Sequence, residues 1–133
     1  MIGLPVGLDD TQYQTVFPNS IENTLYSFGI TGYSSETELQ LGTGYWLRFV
    51  EPEIVTISGT IVDDLSISLM EGWNLISGIS ETVSIYSISD PEGIIVPFTL
   101  YNFNEGYSLS ESLAPGRGYW IRTNQSGTII ISN

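Results

Sequence analysis

Gly42-Thr43-Gly44-Tyr45-Trp46-Leu47-Arg48 returns 74 residues later as Gly116-Arg117-Gly118-Tyr119-Trp120-Ile121-Arg122. The same offset joins Gly32-Tyr33 to Gly106-Tyr107, Leu39 to Leu113, and Val55-Thr56-Ile57-Ser58 to Ile129-Ile130-Ile131-Ser132. Leu25-Tyr26-Ser27-Phe28 matches Leu100-Tyr101-Asn102-Phe103 at an offset of 75, so one residue was gained or lost between them. A chain of 133 residues has room for two such units and no more, which makes this a duplication rather than a long solenoid. The repeated positions are glycines, aromatics and aliphatics, the residues that build a core. Acids and nucleophiles are not repeated. A structural or binding module is expected, and an enzyme is not.

The local patterns are those of short strands. Asp64-Leu65-Ser66-Ile67-Ser68-Leu69 alternates with period two and places Leu65, Ile67 and Leu69 on one face. Residues 54–58 and 128–132 are rich in β-branched side chains, and residues 73–77 and 83–88 also read as strands, the latter leading to a turn at Asp90-Pro91-Glu92-Gly93. Residues 9–17 are the one helix-like stretch, with Asp9 or Asp10 as cap and Pro18 as stop. The expected architecture is therefore all-β: one domain over 1–133, with pseudo-symmetric repeats at about 1–59 and 72–133 and a strand-like connector over 60–71. The repeats are expected to share one core, as a sandwich or barrel-like body. Met1-Ile2 aligns with Leu75-Ile76, past the Gly72-Trp73-Asn74 that opens the second repeat, which gives the expectation of a piece of a longer protein.

In Gly-x-Gly-Tyr-Trp-(Leu or Ile)-Arg the glycines serve a positive-φ turn or a close backbone approach. Strand alternation then sends Tyr45 and Leu47 to one face and Trp46 and Arg48 to the other, with Tyr119 and Ile121 opposed to Trp120 and Arg122 in the second unit. Because large indoles are mostly buried, the tryptophans are expected inside, with each arginine snorkelling out at the strand end. In the opposite arrangement Trp and Arg stand outside together as a binding platform. Tyr33 and Tyr107, each just after a loop glycine, are the best candidates for exposed aromatics. Sugars stack their C–H faces on such rings, so Tyr33, Tyr107, Trp46, Trp120, Arg48 and Arg122 are the candidate ligand-binding residues, with a polysaccharide as the candidate partner.

The motifs from Gly72-Trp73-Asn74-Leu75-Ile76-Ser77 through Leu100-Tyr101-Asn102-Phe103 and Gly106-Tyr107 to Pro115-Gly116-Arg117-Gly118-Tyr119-Trp120-Ile121 resemble a repeated β-rich module of large secreted bacterial surface proteins. In that family the module often lies near a sorting domain of the type IX secretion system. The first unit matches through Ile2-Gly3-Leu4-Pro5-Val6, Phe17-Pro18, Leu25-Tyr26 and Gly44-Tyr45-Trp46-Leu47. The resemblance covers nearly the whole chain and implies export to the cell surface or medium, and a noncatalytic structural or adhesion role beside neighbouring domains. It supplies no catalytic residues.

Charge narrows the partners. Fifteen acidic residues face three arginines and no lysine, a formal net charge of −12, so nucleic acid and anionic bilayers are disfavoured. No run is long enough to span a membrane. With neither histidine nor cysteine, imidazole bases, thiolates and their metal sites are excluded. The acids Glu36, Glu38, Glu105 and Glu111 do not recur between units, as a glycosidase pair in each would require. The paired acids Asp9-Asp10 and Asp63-Asp64 are the candidate contributors to a calcium site, though neither follows the spaced Asp-x-Asp-x-Asp-Gly pattern. Self-association is a further expectation if the apolar residues 54–58 or 128–132 lie on a sheet edge.

Overall fold

A computed structural model describes all 133 residues. In chain order the elements are β1 (Val6–Gly7), α1 (Tyr13–Val16), β2 (Tyr26–Gly29), β3 (Gly32–Ser35), β4 (Thr60–Ile61), β5 (Asp64–Leu69) and β6 (Gly72–Ser77). They continue with β7 (Val83–Ser84), a 3-10 turn at Ile85–Ser87, β8 (Tyr101–Phe103), β9 (Tyr107–Leu109), β10 (Ser112–Leu113), β11 (Gly118–Thr123) and β12 (Gly127–Ser132). The class is all-β. The strands form one four-stranded sheet, β6-β11-β8-β9, and four two-stranded ones, β1-β4, β10-β7, β12-β5 and β2-β3. No barrel closes.

The repeat is visible in the hydrogen bonds. Tyr45 and Tyr119 lie in the core, and each phenol oxygen accepts a backbone N–H five residues upstream, from Gln40 (2.9 Å) and Ala114 (2.8 Å). Thr24 and Thr99 each donate to the carbonyl three residues back, at 2.6 and 2.7 Å, and accept from Arg48 N–H and Arg122 N–H. The single helical turn α1 has its counterpart in the 3-10 turn at Ile85–Ser87.

Two expectations about these elements change. Residues 85–88 do not continue β7, because the Ser84 hydroxyl accepts Tyr86 N–H (3.2 Å) and turns the backbone. Residues 54–58 form no strand, since no segment pairs with them. In α1 the cap residue is Gln12, with no side-chain cap bond; the carboxylate of Asp10, two residues before it, accepts Gln12 N–H (3.0 Å).

The expected shared core is two cores. Seven buried residues, Leu4, Tyr13, Val16, Phe17, Leu25, Leu39 and Tyr45, form the first. Twelve form the second, with Ile67 and Leu69 of β5 added to residues of the second unit. The physical reason lies at the junction, where backbone meets backbone. Gly3 N–H donates to Gly116 carbonyl (3.2 Å) and Ser77 N–H to Gly42 carbonyl (3.0 Å); Gly44 N–H donates to Leu75 carbonyl (3.0 Å) and Gly118 N–H to Met1 carbonyl (3.2 Å). Each bond is paired with its repeat-shifted mirror, the signature of a pseudo-two-fold contact in which both halves use the same patch. Glycine makes the approach feasible. A Cβ on Gly44 would lie 2.6 Å from the Ile76 carbonyl oxygen, and one on Gly118 2.9 Å from Met1 Cβ. Gly42 (φ +82°) and Gly116 (φ +79°) supply the left-handed turn just before. The two proposed duties of the motif's glycines are thus divided between its first and second glycine.

Repeat positions 23 and 98 both adopt a left-handed backbone, at φ +61° in each case. Asparagine adopts that conformation with little cost; phenylalanine adopts it at a cost, and Phe98 is 75% exposed. Phe98→Asn should therefore raise stability by about 1 kcal/mol, read as a higher urea midpoint. A lower midpoint would mean that the ring contributes more by packing than the backbone costs.

Burial raises the pKa of the Tyr45 phenol above its ordinary value, outweighing the favourable N–H it receives from Gln40. Unfolded tyrosine ionises at about 10 and the folded residue later, so above that pH the unfolded state releases the proton first. Stability should fall as pH climbs beyond 10, and Tyr45→Phe should flatten that decline in urea melts taken across the alkaline range. An equal slope in both proteins would assign the alkaline loss to other groups.

Candidate aromatic binding face

Registry places the side chains of one sheet face together. In β11, Trp120 stands opposite Tyr101 of β8 and Leu75 of β6, and Arg122 stands opposite Trp73. Phe103 is opposite Tyr107, and Phe28 is opposite Tyr33 in the β2-β3 hairpin. Paired residues share a face, and so do residues two apart along a strand. Tyr26 reaches the same row as Trp46 through an isolated bridge, the counterpart of Tyr101 and Trp120. Nine of the chain's aromatic side chains, Tyr26, Phe28, Tyr33, Trp46, Trp73, Tyr101, Phe103, Tyr107 and Trp120, thereby gather away from the two cores.

The motif's orientation is the reverse of the expected one. Tyr45 and Tyr119 are inside, 2% and 3% exposed, while Trp46 and Trp120 are half-buried on the outer face with Arg48 and Arg122 exposed beside them. Tyrosine wins the interior because its hydroxyl is satisfied by a backbone N–H there. The indole N–H of Trp46 has no hydrogen-bond acceptor.

Edge-to-face contacts hold the outer rings. Phe28 of the first unit packs on Trp120 of the second with centroids 4.9 Å apart, and Trp46 of the first on Phe103 of the second at 5.1 Å. These two contacts exchange under the repeat, as the junction hydrogen bonds do. Each phenylalanine also meets the tyrosine of its own hairpin, Phe28 with Tyr33 at 5.2 Å and Phe103 with Tyr107 at 5.1 Å.

Two hollows result. One, of about 430 Å³, is lined by Phe28, Trp73, Tyr101, Tyr107 and Trp120. The other, of about 370 Å³, is lined by Tyr26, Tyr33 and Trp46, which are the repeat counterparts of Tyr101, Tyr107 and Trp120. Tyr33 (54% exposed) and Tyr107 (56%) form the accessible rims. Phe28 and Trp73 add two further rings to the first hollow, Trp73 lying 6.5 Å from Trp120 and 6.1 Å from Tyr101.

All four aromatics singled out in the sequence lie in these hollows, Tyr107 and Trp120 in one and Tyr33 and Trp46 in the other. Trp73, Tyr26, Tyr101, Phe28 and Phe103 escaped that reading. The repeated Leu-Tyr-x-Phe held the signal, since burying Leu25 and Leu100 sends the following tyrosine, and the phenylalanine two places beyond it, to the opposite face. The acidic candidates stay scattered. No three acidic side chains, Asp9, Asp10, Asp63 and Asp64 included, come together in one group. Glu36 accepts the Ser27 hydroxyl (2.8 Å), Glu38 the Gln12 amide (3.2 Å) and Glu111 the Tyr86 hydroxyl (3.3 Å). Comparison with models of protein families, with curated proteins and with solved structures finds no match to this chain.

Proposed function

We propose that this chain is a noncatalytic binding module that takes carbohydrate on its aromatic face, within a protein exported to the bacterial surface or medium. One observation carries the reading: a duplicated pair of aromatic hollows, with tyrosines at their rims and Arg48 and Arg122 on the same strand face. A sugar ring offers C–H edges that rest on an aromatic face, while its hydroxyls need polar partners, which guanidinium groups supply. Export rests on the resemblance of the repeated motifs, as does the expectation of neighbouring domains in a longer protein.

A glycan array read by tryptophan fluorescence tests this. Saturable quenching by at least one polysaccharide is expected. Alanine at Trp73, Tyr33 or Tyr107 should then weaken binding about tenfold or more, as aromatic anchors do, while leaving the melting temperature nearly unchanged for the two rim tyrosines. A panel without any response would sink the proposal. The second reading is a scaffold or adhesion module whose aromatic face serves cohesion. The reciprocal Phe28–Trp120 and Trp46–Phe103 contacts favour it, because they join the two units. Under that reading Tyr33 and Tyr107 are inert to substitution in every binding assay.

A further inference from the structure

The repeat gives the walls of one groove in the second unit their counterparts in the first, and the space between them is filled differently. Ile85 N–H donates to the Glu111 carbonyl (2.9 Å) as Tyr13 N–H does to that of Thr37 (3.1 Å). Ser110 N–H donates to the Leu100 carbonyl (2.7 Å) as Glu36 N–H does to that of Leu25 (2.9 Å). Thr99 closes the turn from Val96 as Thr24 closes the one from Ile21. Ile85 therefore stands where the first unit has Tyr13, Leu109 where it has Ser35, and Phe98 where it has Asn23.

In the first unit Tyr13 is a plug. Its ring is buried in the first core, and its hydroxyl accepts the N–H of Asn23 at 2.9 Å. In the second unit Ile85 brings neither ring nor hydroxyl. A groove of about 250 Å³ opens there between the 3-10 turn, residues 95–100 and residues 109–111, with Ile85, Phe98, Leu100 and Leu109 in its walls. Phe98 keeps the φ of +61° found at Asn23 and presents its N–H in the same way, yet that N–H donates to no protein group. The polar side chains nearby are already engaged, Asp90 with Ile94 and Ile95 N–H and the Tyr86 hydroxyl with Glu111. Leu109 and Phe98 are exposed apolar walls where the first unit has serine and asparagine.

We propose that this groove binds a small uncharged phenol, with its ring against Ile85, Leu100 and Leu109 and its hydroxyl accepting Phe98 N–H, in the pose that Tyr13 holds in the first unit. The volume suffices, since an apolar cavity of about 150 Å³ already takes benzene. A single donor amid apolar walls is what orients such a ligand. Charge selects the neutral form: Asp90 and Glu111 border the groove on a chain of net charge −12, which turns away phenols that carry a carboxylate. The site is separate from the aromatic face, for none of its lining residues lines either aromatic hollow.

The probe is p-cresol, the tyrosine side chain without its backbone, titrated into the whole chain while backbone amides are followed by NMR. Saturable shifts at Ile85, Phe98 and Leu109 are expected, with amide exchange at Phe98 slowed severalfold. Toluene keeps the ring and lacks the hydroxyl; it should bind about fivefold more weakly, the loss of one hydrogen bond, and leave Phe98 exchange unchanged. Ile85→Tyr restores the first unit's ring in place and should slow Phe98 exchange without ligand while excluding p-cresol. Leu109→Ser, a change at an exposed strand position, should weaken p-cresol severalfold. No saturable shift at Phe98 with millimolar p-cresol, shifts confined to the aromatic face, toluene binding as well as p-cresol, or binding indifferent to both variants would each overturn the site. N-acetyltyrosine methylamide binding about tenfold more tightly than p-cresol would assign the groove to a tyrosine of a partner polypeptide and overturn the choice of ligand.

Discussion

Tyr119→Ala and Tyr45→Ala are each expected to destabilise the protein by about 3–5 kcal/mol, the range for removing a large aromatic side chain from a core. That is a large part of the roughly 5–15 kcal/mol a domain has in hand. Both rings are almost fully buried, and both hydroxyls hold a backbone N–H in place. The phenylalanine variants separate the two contributions: Tyr119→Phe strands the Ala114 N–H and should cost about 1–3 kcal/mol. Urea titration of the four variants reads these values directly. Trp46→Ala and Trp120→Ala should cost less than their neighbouring tyrosines, because the indoles lie on the outer face and their edge-to-face pairs contribute only about 0.5–1.5 kcal/mol beyond burial. A reversed order, tryptophan above tyrosine, would refute the orientation described for the repeated motif.

Gly3→Ser should be severely destabilising although it only installs the residue found at the equivalent place in the other unit. Gly3 and Ser77 face each other at the centre of the junction, and a Cβ on Gly3 would collide with Ser77 Cβ. Overpacking of this kind costs about 1–3 kcal/mol and sometimes more. The informative measurement is the double variant. Gly3→Ser with Ser77→Gly exchanges the two residues across the pseudo-axis and should recover most of the lost stability in a double-mutant cycle. Ser77→Ala alone should be close to neutral or stabilising, since the Ser77 hydroxyl is buried without a partner. Additive losses in the double variant would show that the two positions do not compete for one space.

The duplication and the all-β class were legible because glycines and aromatics recur at fixed spacing and because β5 alternates cleanly. Side-chain alternation also divided the motif correctly into a tyrosine face and a tryptophan face. Which face is inside was not legible from size preference. That choice depended on a hydrogen bond from Gln40 or Ala114, residues outside the motif. The short run 54–58 has the composition of a strand, but pairing is not encoded in the run itself; it needs a partner such as β5 gives β12. The aromatic face was half legible: Tyr33, Tyr107, Trp46 and Trp120 stood out by repetition. Trp73 did not, since its place in the hollow follows from the β6-β11 register. The partition into two cores was hidden too, because it arises from glycine backbones meeting at the junction.

The junction also carries a historical constraint. Two free copies of one unit meeting across a true axis would be obliged to present the same residue to itself at the centre. Serine on both sides is excluded by the collision there, whereas glycine on both sides is not. The present pairing of Gly3 with Ser77 is one that no homodimer of identical halves can adopt, and it requires the two halves to differ. Carrying both halves on one chain lets each differ from its twin at such positions. Phe98 in place of Asn23 is what that freedom permits: in a tandem protein one unit can depart from a position that the other keeps.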